Sequence, residues 1–536
     1  MGAPRSQVRL LGPDGRPLRP SGSLLISSED YAGASRNRQQ TAGWLVSPKP
    51  SSAETANARQ TIAARTRDLI RNSGVAAGAM RKMRAQTIGP GFRLRAKPDA
   101  DQLGVDPKEA VLFGRKAEAV WNRWAFDPRR QCDIARKRTF GQISRTLWSE
   151  RFQTGENLAV LRWLPDRDTA FATCVQEVDP DRLSNRNDAP DTDIQRQGIH
   201  FAETGEPVAY DIRERHQADY VITAKVFEWA TLPRVAEDGR RVVIHAFSAD
   251  RAEQIRGISP FAPLLTAFRS LDRFAEAELG AAIINATFAG FIKSGFDPLA
   301  VAEALGLDQG GMVEMGKGWQ DARLGMYGDG GLTIHDNKIP ALPPGDEFEV
   351  NNTSRQTGAY KDFKRAFLQD FAAAIGMPYM VLSEDWNGAS YSSARAALAE
   401  TWRIVTEDRE DFIADTIDPV YYEVMTEAFW RGYLVEPDGW PPFEGNEVAY
   451  LNADWTGPGR GYVDPEKEAK ANLLLWRMGA KTLDQICAEQ GLYWEDVITQ
   501  IGQEIGRMRE LGVALPELRE ALALSTPAQQ EVSSDV

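Results

Sequence analysis

The sequence predicts an α+β protein in which helices flank a strand-rich region, and three observations support this fold class. Apolar side chains recur at helical spacing in the N-terminal part and through most of the second half of the chain. Between residues 157 and 250, short β-like runs are separated by polar or Pro-containing turns. With 536 residues and a mass of 59.4 kDa, the chain can bury a large core in more than one structural module.

The composition is typical of a globular protein without a membrane-spanning segment. Hydrophobic residues make up 42% and charged residues 26% of the chain. No apolar run reaches the roughly 18 residues that a transmembrane helix needs, and the basic first residues lack the apolar segment of a secretory signal. Cys132, Cys174 and Cys487 are too far apart in sequence for a disulfide framework. We therefore expect an intracellular protein that does not contact membranes.

The N-terminal part is basic, whereas the rest of the chain is acidic. Residues 1–100 contain 17 Lys and Arg against 6 Asp and Glu, a net charge of +11. The remainder carries −24, because the total is −13. Residues 1–50, rich in Gly, Pro, Ser and Arg, are expected to form a flexible basic arm. The charge distribution indicates either that the two parts face different partners or that the arm is simply solvated.

Helices and then short strands are expected to follow the arm. Helical spacing predicts helices from Ser52 to Arg84, over 107–126 and over 134–152. The sequence Gly89-Pro90-Gly91 ends the first of these. The predicted strands cover residues 157–164, 171–178, 208–214, 220–229 and 240–249. This half of the chain is therefore predicted to be a mixed region of helices and strands.

The second half begins with two predicted helices separated by a Gly-rich insertion. Ser259 and Pro260 place a capping hydroxyl before a first-turn proline, and apolar residues then recur to about Ile292. Residues 294–356 show little helical periodicity and are predicted to form a small β-containing insertion. The second helix is predicted at 357–375, with one face formed by Tyr360, Phe363, Phe367, Phe371 and Ala374.

A short polar segment then leads into a long helix and a helical C-terminal region. Helical spacing from Ser392 to Trp430 corresponds to about 57 Å of α-helix. Asp418-Pro419 is expected to kink this helix without ending it, because apolar spacing resumes afterwards. Further short helices are predicted at 466–478, 483–489 and 494–511, before a disordered tail at 513–536.

Motifs for nucleotide or metal chemistry are incomplete. The histidines His200, His216, His245 and His335 are scattered, so no zinc site is predicted. His245 is expected to be a packed strand residue. The segment from Gly311 to Lys317 has the spacing of a phosphate-binding loop, but Gly318 stands where a Mg²⁺-binding hydroxyl is needed. An ATPase site is therefore not expected.

Acidic residues cluster at two places, Glu384-Asp385 and a longer run of four. The run comprises Glu407, Asp408, Glu410 and Asp411. Because it follows one helix surface, it cannot by itself converge on a two-metal pocket, and a solvated or inter-subunit face is favoured over a nuclease site. We expect no enzyme activity, no cofactor and no bound metal.

Seven stretches of the sequence occur in a characteristic order. They are YAGASRNRQQTAGW, ARTRDLIRNSGVAAGAMRKMRAQTIGPGF, IRGISPFAPLLTAFRSLDRFAEAELGAA, ALPPGDEFEV, YKDFKRAFLQDFAAAIGMPYMVLSED, NGASYSSARAALAETWR and DPEKEAKANLLLWRMGAKTLDQICAEQG. In this order, and over most of the chain, the sequence resembles the lambda-like family of portal proteins of tailed bacteriophages. Each stretch alone is modest, whereas the seven together make the resemblance specific.

The resemblance implies a head-tail connector, a homododecamer at one capsid vertex whose channel carries double-stranded DNA during packaging and ejection. The portal fold would have a mixed α/β wing, a two-helix stem, a small β-containing clip, a long kinked helix and a helical crown. The regions would be the wing (51–258), stem helix 1 (259–293), clip (294–356), stem helix 2 (357–378), tunnel loop (384–391), long kinked helix (392–431), wing return (432–461) and crown (462–512).

The resemblance also implies the partners and the location. The channel would pass DNA without sequence specificity, the clip would bind the terminase large subunit and later head-completion or tail adaptor proteins, and other surfaces would meet the major capsid protein or scaffold. The protein would belong to the virion, at the portal vertex, and to the host cytoplasm during assembly. The alternatives are another head-tail connector or capsid structural protein and, with less support, a DNA-processing enzyme.

Two sets of residues are candidates for contact with DNA. The implied tunnel loop comprises Glu384, Asp385, Trp386, Asn387, Gly388, Ala389, Ser390 and Tyr391. Lys361, Lys364 and Arg365 are spaced i, i+3 and i+4, so they share one face of the second predicted helix. This basic face indicates either weak rings of contact with the DNA backbone, or a solvated surface or inter-subunit ion pairs.

Overall fold

The computed structural model describes residues 39, 43, 44, 46–287, 291–294, 303, 305–327, 346–349, 357–387, 390–460 and 464–512. Most of the predicted basic arm at 1–50 and the predicted tail at 513–536 lie outside the described residues, as does His335. Within the described ranges, no helix is both long enough and apolar enough to cross a membrane.

The described chain contains both helices and antiparallel strands, as predicted. The α-helices are α1 (Ser51–Ala56), α2 (Arg59–Asn72), α3 (Gly74–Thr87), α4 (Ala100–Leu103), α5 (Pro107–Ala125), α6 (Phe140–Thr154), α7 (Leu265–Thr287), α8 (Gln309–Tyr327), α9 (Thr357–Ala374), α10 (Tyr379–Ser383), α11 (Tyr391–Phe412), α12 (Asp418–Trp430), α13 (Glu447–Tyr450), α14 (Pro465–Arg477), α15 (Leu483–Ala488) and α16 (Trp494–Glu510). The strands are β1 (Arg93–Ala96), β2 (Glu156–Trp163), β3 (Thr173–Val178), β4 (Gln195–Arg196), β5 (Ile199–Phe201), β6 (Pro207–Arg213), β7 (Trp229–Pro233), β8 (Val243–Phe247), β9 (Phe291–Ser294), β10 (Asp346–Glu349) and β11 (Ala453–Thr456).

Two of the predicted N-terminal helices differ from those observed. The helix predicted from Ser52 to Arg84 is three helices. The break between α2 and α3 lies at Ser73, which adopts an extended conformation and whose hydroxyl accepts a hydrogen bond from the Ala76 N–H, so that α3 starts there. The helix predicted at 134–152 begins only at Phe140. The Asp133 carboxylate accepts hydrogen bonds from several backbone N–H groups of the preceding segment, and a Thr139 capping box then starts α6.

The strands among the described residues form four small sheets. Strand β2 lies between β3 and β8, and a second sheet has the order β4-β5-β6-β7. The two-stranded sheets pair β1 with β11 and β9 with β10, and all these pairings are antiparallel. The β1–β11 ladder joins Arg93 to Thr456, so the C-terminal part of the chain completes a structure that starts near the N-terminus.

One predicted strand is wrong. Residues 220–229 are rich in β-branched and aromatic side chains, yet Ala224–Phe227 is a 3-10 turn and the strand β7 begins only at Trp229. Tyr220 and Ile222 are 95% and 80% exposed. A strand preference depends on a neighbouring strand and on burial of one face, and this segment lacks that burial.

A large aromatic core joins the N-terminal helices to the C-terminal ones. The ring of Trp121 on α5 lies 5.6 Å from that of Tyr421 and 5.4 Å from that of Trp455, both in edge contacts. Trp124 and Trp148 are also fully buried in this core. Edge-to-face ring pairs add specific attraction to the burial of their large apolar surface. The region 51–258 therefore shares this core with the C-terminal helices, and a second, smaller core between β2, β5, β6 and β8 lies entirely within it.

The long helix continues through the proline, as predicted. Helices α11 and α12 are joined by a π-helical turn at Ile413–Ile417, directly before Asp418 and Pro419. Proline lacks a backbone N–H, and a π turn accommodates the lost hydrogen bond inside a continuous helix. The Trp455 indole N–H donates to the Asp418 carboxylate at 2.6 Å and the Asn157 amide to the Thr416 hydroxyl at 3.2 Å, which fixes this point of the helix.

Candidate functional site

Helices α7 and α9 pack against each other through aromatic side chains. The ring of Phe268 lies 5.3 Å from that of Phe367 and 4.7 Å from that of Phe371. Further along the pair, Phe274 lies 4.7 Å from Phe363. The aromatic face predicted for the second helix is therefore the contact face, except at Ala374, which is exposed while Ala372 and Ile375 are buried.

The boundaries of the first helix of this pair differ from the prediction. The Ser259 hydroxyl accepts from the Phe261 N–H at 3.2 Å, but a 3-10 turn at Ala262–Leu264 comes next and α7 begins at Leu265. At the other end, Ile292 lies in strand β9 and not in the helix. Strand β9 pairs with β10, so two strands are present at the ends of the predicted insertion.

The predicted insertion also contains a helix, which the weak helical periodicity of its sequence did not indicate. Helix α8 covers Gln309–Tyr327, because the Asp308 carboxylate caps its first turn and most residues between the glycines favour a helix. The Gly311–Lys317 segment therefore lies within an α-helix. Its interior N–H groups are used in helical hydrogen bonds and cannot cradle a phosphate. This geometry argues against a nucleotide site there.

The basic face of α9, formed by Lys361, Lys364 and Arg365, is exposed along its whole length. The guanidinium of Arg365 lies 5.6 Å from the centre of the Tyr379 ring on α10. A cation above an aromatic ring is attracted by its electron-rich face. Arg365 is thus connected to the helix that leads into the predicted tunnel loop, whereas Lys361 lies four residues, about 6 Å along the helix, further away.

The start of the predicted tunnel loop is held by Lys82 on α3. Its ammonium group lies 2.8 Å from a carboxylate oxygen of Glu384 and 2.5 Å from the carbonyl oxygen of Val381. Glu384 has a φ of 58°, a left-handed conformation that turns the chain out of α10. The hydrogen bond and charge of Lys82 hold the pKa of Glu384 below its usual range.

The rest of the loop is open to solvent where it is described. The Asp385 carboxylate accepts from the Asn387 N–H at 3.1 Å, and the Trp386 side chain between them is 48% exposed. The Ser390 hydroxyl caps α11 by accepting from the Ser393 N–H at 3.2 Å. Gly388, Ala389 and the side chain of Tyr391 lie outside the described residues.

The run of four acidic residues on α11 does not form one cluster. Glu407, Glu410 and Asp411 are exposed, whereas Asp408 is partly buried and accepts from the Trp148 indole N–H at 2.8 Å. Burial raises the pKa of Asp408, and this hydrogen bond opposes the rise. The four carboxylates do not converge on a pocket, as expected for residues that follow one helix surface.

The histidines have different environments. The side chain of His245 on β8 is buried and its ring lies 3.0 Å from the carboxylate of Glu156, and the ring of His200 lies 3.0 Å from that of Asp211. His216 is close enough to Asp179 and Asp181 for a shared ion, which the sequence did not predict. Both carboxylates are bound to the Arg67 guanidinium, which is 2.9 Å from Asp179. A cation would have to compete with that positive charge.

A buried network of charged side chains surrounds Glu156, and it was not predicted from the sequence. Glu156 is fully buried, and the Arg256 guanidinium donates to its two oxygens at 2.5 and 2.8 Å. Arg59 donates to the same carboxylate at 3.0 Å. Burial by itself would raise the pKa of Glu156, but the two guanidinium groups and His245 hold it well below its usual range. Arg256 lies in the stretch IRGISPF, but nothing in that stretch indicates Glu156 as its partner.

A family model and two relatives point to one family. The family model for phage portal proteins of the lambda family matches residues 37–409. The portal protein of Escherichia phage N15 is 28% identical over 509 residues, which is 95% of this chain and 94% of that protein. Portal protein B of Escherichia phage lambda is 28% identical over 514 residues, with the same coverage. A chain in the neck of an empty GTA particle is 14% identical with a TM-score of 0.42, covering 78% of this chain and 90% of that one.

Proposed function

This chain belongs to the lambda family of phage portal proteins, and from that premise we propose that it forms a ring of about twelve copies at one capsid vertex. Double-stranded DNA would pass through the channel of this ring during packaging and ejection. The observation that carries the proposal is the order of elements from α7 to α12, in which an aromatic-seamed helix pair with an exposed basic face leads through a short loop into one long helix.

The regions of the portal fold are assigned on this basis. Helices α7 and α9 would form the stem, with α8, β9 and β10 between them in the clip. The loop from Glu384 onwards would be the tunnel loop, and α11 with α12 the long helix behind it. The strands and helices of 51–258 and 432–461 would form the wing, and α14 to α16 the crown.

Electrostatics supports passage of DNA without tight binding. The net charge is −13 for each chain, so twelve copies would carry roughly −156, which repels phosphate over much of the surface. The basic face of α9 would then supply weak contacts to the DNA backbone. Many strong phosphate contacts would instead retain the DNA at physiological salt.

The partners follow from the same assignment. The clip would bind the terminase large subunit during packaging and head-completion or tail adaptor proteins afterwards. The wing would face the major capsid protein or scaffold, and the basic N-terminal part is a candidate for that contact. We propose a structural and conducting role without catalysis, because the phosphate-loop spacing lies within helix α8 and the acidic run does not converge.

Negative-stain electron microscopy combined with native mass measurement tests this proposal. The expected result is a ring with an axial hole and a mass near twelve times 59.4 kDa. A chain that stays monomeric across salt and protein concentrations would contradict it. ATPase and nuclease assays on the same preparation address the alternative of a DNA-processing enzyme, for which metal- or nucleotide-dependent turnover is required.

A further inference from the structure

We propose that helix α3 fixes the two flanks of the tunnel loop relative to each other, and that Lys82 is the positioning residue at the first flank. The purpose of this arrangement rests on the proposed function, since it matters only if DNA passes the loop. The contacts themselves are independent of that function. They lie at both ends of one helical segment, from Lys82 to Thr87.

The first flank is held through the C-terminal end of α10. The last carbonyl groups of a helix have no partner within it, and a charged donor placed there satisfies them. The Lys82 ammonium donates to the carbonyl oxygens of Val381 at 2.5 Å and of Leu382 at 3.3 Å. Its ion pair with Glu384, at 2.8 Å, fixes the residue at which the chain turns left-handed. One side chain thus holds both the end of the helix and the start of the loop.

On the second side, the helix that follows the loop is held at the C-terminal end of α3, by Arg409, about 27 Å along α11 from Tyr391. The Arg409 guanidinium on α11 donates to the carbonyl oxygens of Gln86 at 2.7 Å and of Thr87 at 3.1 Å. The Thr87 hydroxyl in turn donates to the Asp408 carboxylate at 3.4 Å. The carbonyl oxygens at the end of a helix have no partner within the helix, so a charged donor from another element binds them in a defined position. The helix that follows the loop is therefore fixed to the same body as the helix that precedes it.

Helix α3 is suited to this role because it is short and packed into the core. The two anchoring points, Lys82 and Thr87, are five residues apart, a rise of about 7.5 Å along an α-helix. Between and before them, Met83 and Ala79 are buried in the large aromatic core, and the Arg84 guanidinium donates to the Ser149 hydroxyl on α6. A force on the loop would therefore be transmitted to the wing, and the loop would keep its position relative to the wing.

Hydrogen exchange of assembled rings, measured by mass spectrometry, tests the anchor directly. Lys82→Met keeps the apolar stem and removes the charge and the donors. We expect exchange of the backbone amides in 379–387 to increase about tenfold, with the rest of α3 unchanged. Lys82→Arg keeps the charge and several donors and should retain most of the protection. Lys97→Met is the matched control, because Lys97 forms an ion pair with Asp454 away from the loop.

A second variant keeps the test valid if Lys82→Met does not assemble. Glu384→Gln removes only the ion pair and leaves the two carbonyl contacts in place, so exchange should increase by about threefold and only near residue 384. Unchanged exchange in 379–387 for both variants, or an equal increase in Lys97→Met, overturns the proposal. DNA packaging into capsids is measured on the same variants. Faster exchange with normal packaging would uphold the anchor and refute the role proposed for the loop.

Discussion

Replacement of Arg256 by Met tests the buried charge network that connects β2 to the segment preceding α7. The Arg256 side chain is almost completely buried, and it binds both oxygens of the fully buried Glu156. Its guanidinium also donates to the carbonyl oxygens of Pro180, Leu183 and Gln197 at 2.9 to 3.0 Å. Methionine replaces the aliphatic stem of the arginine and lacks its guanidinium, so the substitution removes the charge and the donors and leaves only the space of that group.

These contacts determine how much the free energy of unfolding should fall in Arg256→Met. Removing one partner of a buried ion pair costs about 3–5 kcal/mol, because the remaining charge is left in a poorly polarisable environment. Each buried carbonyl that loses its donor costs roughly a further 1 kcal/mol, although contributions within one network do not add fully. Arg59 and His245 still face Glu156 and limit the loss. We expect the free energy of unfolding to fall by about 4–6 kcal/mol.

Urea unfolding of the purified chain, followed by circular dichroism, measures this difference. Glu156→Gln combined with Arg256→Met should restore about 2 kcal/mol relative to the single variant, because no uncompensated carboxylate remains. Arg251→Met is the surface control. Arg251 is more than half exposed and pairs with Glu54, so the change should stay within about 1 kcal/mol. If Arg256→Met unfolds within about 1 kcal/mol of the unchanged chain, the network does not stabilise the fold as argued.

Three further predictions concern pH, charge and packing. Burial raises the pKa of the Glu150 carboxyl from 4.5 to about 8, so the stability that its protonated form contributes is fully present below pH 4.5 and is lost as the pH rises through 8. In urea unfolding, Glu150→Gln should therefore be more stable than the unchanged chain near pH 9 and similar to it near pH 5. Replacing the three residues of the basic face of α9 by Gln should slow DNA packaging severalfold without affecting ring formation. Replacing the three basic residues of Pro465–Arg477 by Gln is the control and should leave the packaging rate unchanged. If the first variant packages DNA as fast as the unchanged chain, the basic face is a solvated surface. In Gly257→Ala the new methyl carbon would lie 2.0 Å from the carbonyl oxygen of Gly155, so gel filtration should show that soluble rings no longer form. Gly280→Ala on α7 is the control, because its methyl carbon meets nothing within 4 Å, and its rings should still form.

Local signals in the sequence predicted those elements whose boundaries depend on nearby residues. Helix α5 begins at Pro107 after the capping residue Asp106, and α9 and α12 follow their apolar spacing to within a residue or two. The start of α6 was also readable, since Thr139 and Gln142 form a capping box, but the apolar spacing before it masked this signal. The helix α8 was missed because glycines obscure its periodicity.

Contacts between distant residues could not be predicted from one sequence. Arg59, Glu156 and Arg256 are each about a hundred residues from the next, and nothing in their local sequence shows that they meet. The same holds for Lys82 and Glu384, since an isolated lysine on a helix is normally solvated. The basic face of α9 could be predicted because helix geometry alone places its members together, although its partner remains a proposal.

The ladder between β1 and β11 has a consequence for synthesis on the ribosome. Strand β1 cannot form this pairing until Ala453–Thr456 has been translated, some 360 residues later. At typical translation rates this delay lasts roughly 20 to 70 s. During that time the aromatic surface of α5, including Trp121, lacks Tyr421 and Trp455. The nascent chain therefore exposes an aggregation-prone apolar surface for most of its elongation. The yield of folded protein should depend on chaperones that bind such surfaces before the C-terminal helices are synthesised.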